Sequence, residues 1–133
     1  SLAPVRADLV TVLSVLARAG HGDSADAGRA FHAGISRFST GKKPLFLLPP
    51  ADCTFHAFDR ALDRLARAVP AVKQRAVDAC AHCVLVDGRV TVREAELLRA
   101  VCDVMGCPLP PFLPGAGDGG GSSPGPRRVG REG

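Results

Sequence analysis

Residues 79–113 read ACAHCVLVDGRVTVREAELLRAVCDVMGCPLPPFL, two helical patterns on either side of a tight Asp87-Gly88 turn. The first opens at Pro70, whose missing N–H would be unpaired in a first turn anyway, and runs to about Val86. Beyond Asp78 it is apolar nearly all round, with His82 as the exception, which predicts the central and most buried element. The second runs from Thr91 to Met105. Ala95, Leu98, Val101, Cys102 and Met105 recur at three- and four-residue spacing, and Gly106 is placed as a C-terminal cap.

Working outward, Phe55, Phe58, Leu62, Leu65 and Val69 repeat the same spacing after an Asp52 or Thr54 cap, while Asp59, Arg60, Asp63, Arg64 and Arg67 hold the opposite face. Between Ser39 and Cys53 the pattern fails. Gly41, Pro44, Pro49 and Pro50 punctuate a short apolar run, Leu45 to Leu48, which predicts a linker packed on the core. Nearer the start, Val5, Leu9, Val12, Leu13 and Leu16 share one face of a helix from Pro4 to Ala19, with Gly20 as its stop. A cap at Asp23 or Ser24 opens another, with Ala27, Phe31, Gly34, Ile35 and Phe38 inward. The expectation is an all-α bundle of about five helices over residues 1–113. It comprises a helical hairpin (4–38), a linker (39–53) and a three-helix part (54–106), followed by a disordered Gly/Pro/Arg-rich tail (114–133).

Composition narrows the function classes. With 133 residues and 46% hydrophobic content, the chain supports one modest core. Aromatics make up 5%, with no Trp or Tyr, so no stacking platform for single-stranded nucleic acid and no aromatic cage is expected. The net charge of +4 is spread over helices where Arg alternates with Asp or Glu, an ordinary solvated face. Arg127, Arg128 and Arg131 cluster in the tail and are read as a solubilising end rather than a phosphate or lipid contact, so no nucleic-acid partner is expected. Five cysteines, no secretory signal and no apolar run near the roughly 18 to 20 residues of a membrane span point to a cytoplasmic setting. The start at Ser1 without Met suggests a fragment or processed product.

Two constellations are candidate metal sites. Asp87 to Glu94 resembles the second half of an EF-hand loop, with Gly88, Val90 and Glu94 at the right intervals. The first half is wrong, because Cys83 and Leu85 stand where two oxygen ligands belong, leaving Asp87 and Glu94 as the calcium candidates. Thr91-Val92-Arg93-Glu94 also reads as a capping box, with Val90 stapling the turn. Cys80, Cys83, Cys102 and Cys107 form a C-x2-C and C-x4-C pair open to zinc. Cys80 and His82 point about 160° apart on a helix, so His82 is not part of that set, and core packing of the thiols competes with metal binding. No catalytic constellation is present. None of His21, His32, His56 or His82 begins an H-E-x-x-H, and Ser39 to Lys43 lacks the first glycine and the final Ser or Thr of a phosphate loop.

The stretch Leu62 to Leu113, with its Asp-Gly turn followed by a Glu-containing helix, resembles the TerB-like helical module. Together with LSVLARAGHGDSADAGRAF (residues 13–31) near the start, it is similar to the C-terminal region of bacterial membrane-bound zinc metallopeptidases of the HtpX and CAAX-prenyl-protease type. The resemblance implies a parent with a membrane-embedded, zinc-dependent peptidase domain in the bacterial inner membrane, which this chain meets only through that parent, and a chain that itself holds no catalytic residue and needs no cofactor. It also implies acidic residues proposed to bind metal, matched here by Asp87 and Glu94. The expected role is a non-catalytic accessory, interaction or sensing domain whose partner is a protein or a covalently linked peptidase domain. The alternative is a metal-binding module, with calcium at the Asp87–Glu94 turn or zinc at the cysteines.

Overall fold

The computed structural model describes residues 2–38 and 43–109. Among them the chain is all-helical: α1 (Ala3–Gly20), α2 (Ser24–Phe38), α3 (Phe55–Leu65), α4 (Pro70–Leu85) and α5 (Val92–Met105), with a 3-10 turn at Pro50–Asp52 before α3. The tail expected at 114–133, with Arg127, Arg128 and Arg131, lies outside the described residues, as do 39–42 of the linker and 110–113 of the bundle. No helix among the described residues is long and apolar enough to cross a membrane.

The caps fall where side-chain chemistry places them. Asp23 Oδ2 accepts the Asp26 N–H at 3.1 Å, and Thr54 Oγ1 accepts the Ala57 N–H at 3.0 Å, each satisfying an orphan donor of a first turn. Pro70 occupies the first turn of α4 as read from the sequence. At the other end of the fold Gly106, at φ 67°, closes α5, with its N–H on Asp103 O at 3.3 Å and the Cys107 N–H on Cys102 O at 3.0 Å. This paired closure needs a left-handed residue, which glycine supplies without steric cost.

The centre of the core differs from the sequence expectation: α1 holds it rather than α4. Every residue of α1 from Val12 to Ala17 is buried, and α1 packs against all four other helices. Helix α4 is buried beyond Asp78 except at His82 and Leu85, and packs on α1, α2 and α5. The reason is that α1 carries apolar or small side chains on more than one face, Val10, Val15 and Ala17 adding to the stripe of Leu9, Val12, Leu13 and Leu16. Phe31, Phe58, Leu9, Leu13, Leu16, Leu65 and Leu98 are among the largest fully buried side chains, each worth about 1.5–3 kcal/mol relative to exposure.

Two residues expected inward on α3 are not. Phe55 is 75% exposed and Val69 64% exposed. Phe55 is the first helical residue, and a helical side chain leans toward the N-terminus, which carries its ring past the core. Val69 never joins α3. The helix ends at Leu65, the Arg67 and Ala68 N–H groups bond back to Arg64 and Leu65 carbonyls, and Val69 is extended before Pro70 as that position demands.

Polar contacts tie the layers together. Asp8 on α1 is 8% exposed and receives Arg64 Nε at 3.0 and 3.1 Å on its two oxygens, fixing α3 against α1. The linker is gripped at one residue. The Leu48 N–H donates to the buried Ser14 hydroxyl at 3.0 Å and its carbonyl accepts Arg18 Nε at 2.8 Å, while Leu45, Leu47 and Leu48 pack on the core. The linker therefore packs as expected, and Phe46 alone of its apolar run stays 67% exposed.

Helices α2 and α4 meet most closely at Gly34, where a Cβ would lie 2.7 Å from the Ala79 carbonyl oxygen and 3.0 Å from Cys83 Cβ and Leu13 Cδ2. Backbone cannot yield as a side-chain tip can. Gly34→Ala should destabilise the fold by about 1–3 kcal/mol in a denaturant titration, despite the better helix propensity of Ala; equal or greater stability would show that the two helices can separate there at little cost.

Candidate functional site

Helix α4 stops at Leu85, and the next residues turn the chain sharply. The Gly88 N–H bonds to Leu85 O at 3.0 Å, Gly88 adopts φ 74°, and Asp87 Oδ1 accepts the Arg89 N–H at 3.0 Å. The Asp87 carboxylate thus stabilises its own turn. Val90 packs on the core, and Thr91 is extended as the N-cap of α5. Its hydroxyl accepts the Glu94 N–H at 3.1 Å, and Glu94 Oε1 accepts the Thr91 N–H at 2.9 Å, so the capping box is complete.

Glu94 is far more than a cap. It is 1% exposed, and its carboxyl group lies directly against Gly20 at the end of α1, where any larger residue would run into it. Among the described residues Oε2 has no hydrogen-bond partner, and neither does the buried Nε2 of His21, which follows Gly20. His21 Nδ1 stands 3.9 Å from Asp87 Oδ2, with 10% of the side chain exposed. The ends of α1 and α4 and the start of α5 therefore meet around Asp87, Glu94 and His21, the last of which the sequence reading did not single out for this role. A concavity of about 280 Å³ opens beside them, lined by His21, Asp26, Arg29, Val86 and Asp87, with Arg29 ion-paired to Asp26.

All five thiols are free, with Cys80, Cys83 and Cys102 buried and Cys53 and Cys107 half-buried. Burial first, then the nearby Cys83 and Cys102, pushes the Cys80 thiol well above its usual range. Cys83 is pushed up to about 12 by burial and then by the Glu94 carboxylate, and its Sγ donates to Leu13 O at 3.7 Å. Cys102 is pushed up to about 11 by burial, with Cys107 and Asp103 adding to it. Among the described residues, no three His, Cys, Asp or Glu side chains are grouped to hold a metal ion. His82 lies apart from the thiols as read from helix geometry, its Nδ1 2.9 Å from Asp78 O.

A second concavity, of about 470 Å³, is lined by His56, Arg60, Asp63, Arg64 and Arg67 on and just after α3. His56 is an exposed residue of the first turn of α3. Comparison of the chain with protein-family models, curated proteins and solved structures finds no match in any of the three.

Two measurements test this account. Thr91→Ala should lower stability by about 1 kcal/mol, as loss of an N-cap does; no change in midpoint would mean Glu94 is held by burial alone. The thiols set an alkaline limit. An unfolded thiol ionises near 9.0 whereas folded Cys83 stays protonated to about 12, so between these values the unfolded state binds fewer protons and stability falls as pH rises. The slope approaches about 1.4 kcal/mol per pH unit for each such thiol, and a pH-independent unfolding free energy above pH 9 would contradict the buried, neutral assignment.

Proposed function

We propose that this chain is a non-catalytic accessory domain that works by binding, on behalf of a larger protein. The carrying observation is the division of its polar groups. Side chains that chemistry would need are already engaged: Asp87 in its exposed turn, Glu94 in the buried capping box, three thiols in the core. Arg60 and Arg67, without partners among the described residues, and the exposed rings of Phe46 and Phe55 face outward. The resemblance to the C-terminal region of bacterial zinc metallopeptidases names a candidate parent, in which zinc and the peptidase residues belong to a separate membrane-embedded domain. Five unpaired thiols suit a reducing, cytoplasmic compartment for this part of such a protein.

The second reading, a metal-binding module, is favoured by one observation: Glu94 Oε2 and the Nε2 of His21, whose other ring nitrogen faces Asp87, are buried without a hydrogen-bond partner among the described residues. An unpaired buried group of this kind costs about 1–3 kcal/mol, which a cation would offset. Against it, calcium would have to share a carboxylate already committed to the cap of α5. The cysteines have no comparable observation in favour of zinc.

Native mass spectrometry of the purified chain before and after EDTA separates the two readings, alongside a fluorogenic-peptide hydrolysis assay with added zinc. The accessory reading expects the mass of the bare chain, a melting temperature unchanged by EDTA, and no hydrolysis. Stoichiometric calcium or zinc lost with EDTA, together with a lower melting temperature, would install the metal reading; EDTA-sensitive turnover would overturn both.

A further inference from the structure

We infer that the patch formed by His56 and Arg60 on α3 and Arg67 in the turn after it docks an extended, acidic peptide segment of a protein partner. The inference rests on the reading of the chain as an interaction domain and specifies the partner's chemistry. His56, Arg60 and Arg64 succeed one another turn by turn along one side of α3, and Arg67, in the turn that follows, joins them around the concavity of about 470 Å³. Arg64 is spent on the buried Asp8, which also raises the already high affinity of its guanidinium for a proton. Arg60 and Arg67, exposed and without an ion-pair or hydrogen-bond partner among the described residues, supply the free positive charge.

Spacing selects an extended chain. Four helical residues advance about 6 Å, close to the roughly 6.8 Å between alternate residues of an extended peptide, so carboxylates two positions apart can face His56 and Arg60. Arg67, in the turn after α3, extends the patch beyond the end of the helix. Both guanidiniums can take a carboxylate in two-point fashion.

Charge pattern selects a peptide over a nucleic acid. Asp63 stands within the lining, between Arg60 and Arg67 in sequence, and Asp59 is exposed beside Arg60. A polyphosphate backbone would set negative charge against Asp63, whereas a peptide can place a neutral or basic residue there. No aromatic ring belongs to the lining apart from the imidazole of His56, and the chain has no Trp or Tyr on which bases would stack.

The test is fluorescence anisotropy of the intact chain with a fluorescein-labelled peptide of alternating Glu and Ser, in low and moderate salt, with oligothymidylate of matched charge as competitor. Binding should weaken with salt and fall about tenfold in Arg60→Glu/Arg67→Glu. It should be retained in Arg93→Glu/Arg99→Glu, which changes net charge equally on exposed positions of α5. The milder Arg60→Gln/Arg67→Gln pair, with helicity checked by circular dichroism, reads the same loss if the reversed charges unfold the chain. Equal loss in the α3 and α5 variants would overturn the inference in favour of net charge, and tighter oligothymidylate binding lost in the α3 variants would overturn it in favour of a phosphate polymer. Absence of peptide binding, with cross-linking of the chain to the remainder of its parent protein retained, would remove this docking face while leaving the interaction reading intact. EDTA-sensitive turnover or stoichiometric metal would remove that reading itself.

Discussion

Burying the Glu94 carboxyl obliges three elements to meet at one point. Its Oε1 must remain on the Thr91 N–H to begin α5, its hydrocarbon stem must sit among core residues, and its carboxyl must find room against the end of α1. The last condition is met because residue 20 is glycine, and a shorter acid would not reach. Once that contact is made, the start of α5, the turn after α4 and the end of α1 are mutually fixed. The close approach of α2 to α4 at Gly34 then sets the other side of the bundle. One residue is thus at once a local cap and a long-range spacer, the kind of agreement between levels that favours a single folded state.

Much of this architecture is legible in the sequence because the helices obey simple periodicity and announce their ends. Pro70, Thr54, Thr91, Asp23 and Gly106 each sit where backbone donors or acceptors need them, and the structure uses all five. Periodicity was less informative at element ends. Phe55 and Val69 continue a three-four rhythm, yet the rhythm describes a face only within a helix, and one residue starts α3 while the other lies beyond it. Nor does periodicity weigh one helix against another: the uniform apolarity of α4 drew attention from α1, whose Val10 and Ser14 lie off its main stripe and are nonetheless buried. The grip of Ser14 and Arg18 on Leu48 joins residues more than thirty positions apart, and no local pattern marks it.

The candidate site was legible in part. Asp87 and Glu94 belong to one turn, as their spacing requires, and the signal for the burial of Glu94 was present: positions 94, 98, 101 and 105 share a helical face, and the other three are Leu98, Val101 and Met105. The capping-box motif accounted for the acid so completely that this second meaning was easily passed over. His21 carried no such signal, because its role comes from the end of α1 meeting a turn more than sixty residues away. For the cysteines, spacing put Cys80 beside Cys83 and Cys102 beside Cys107, but whether two pairs converge is a tertiary question. Here Cys83 faces Glu94, and thiols in such surroundings remain protonated and inert.

The pattern Asp-Gly-x-Val-Thr-x-x-Glu, residues 87–94, invites a metal in sequence and has a sufficient physical cause without one. The aspartate accepts a turn amide, the glycine takes the positive φ, the valine seals the turn against the core, and the threonine and glutamate cap each other. Each residue type follows from joining two buried helices within few residues. A pattern so fully explained by folding carries little information about a ligand, and what it leaves unexplained is one carboxyl oxygen and one imidazole nitrogen. Surface residues stand in the opposite position. Folding of the described residues places no demand on Arg60, Arg67 or Phe46, which are exposed and without polar partners among them, so a selective reason for their identity lies in what approaches from outside.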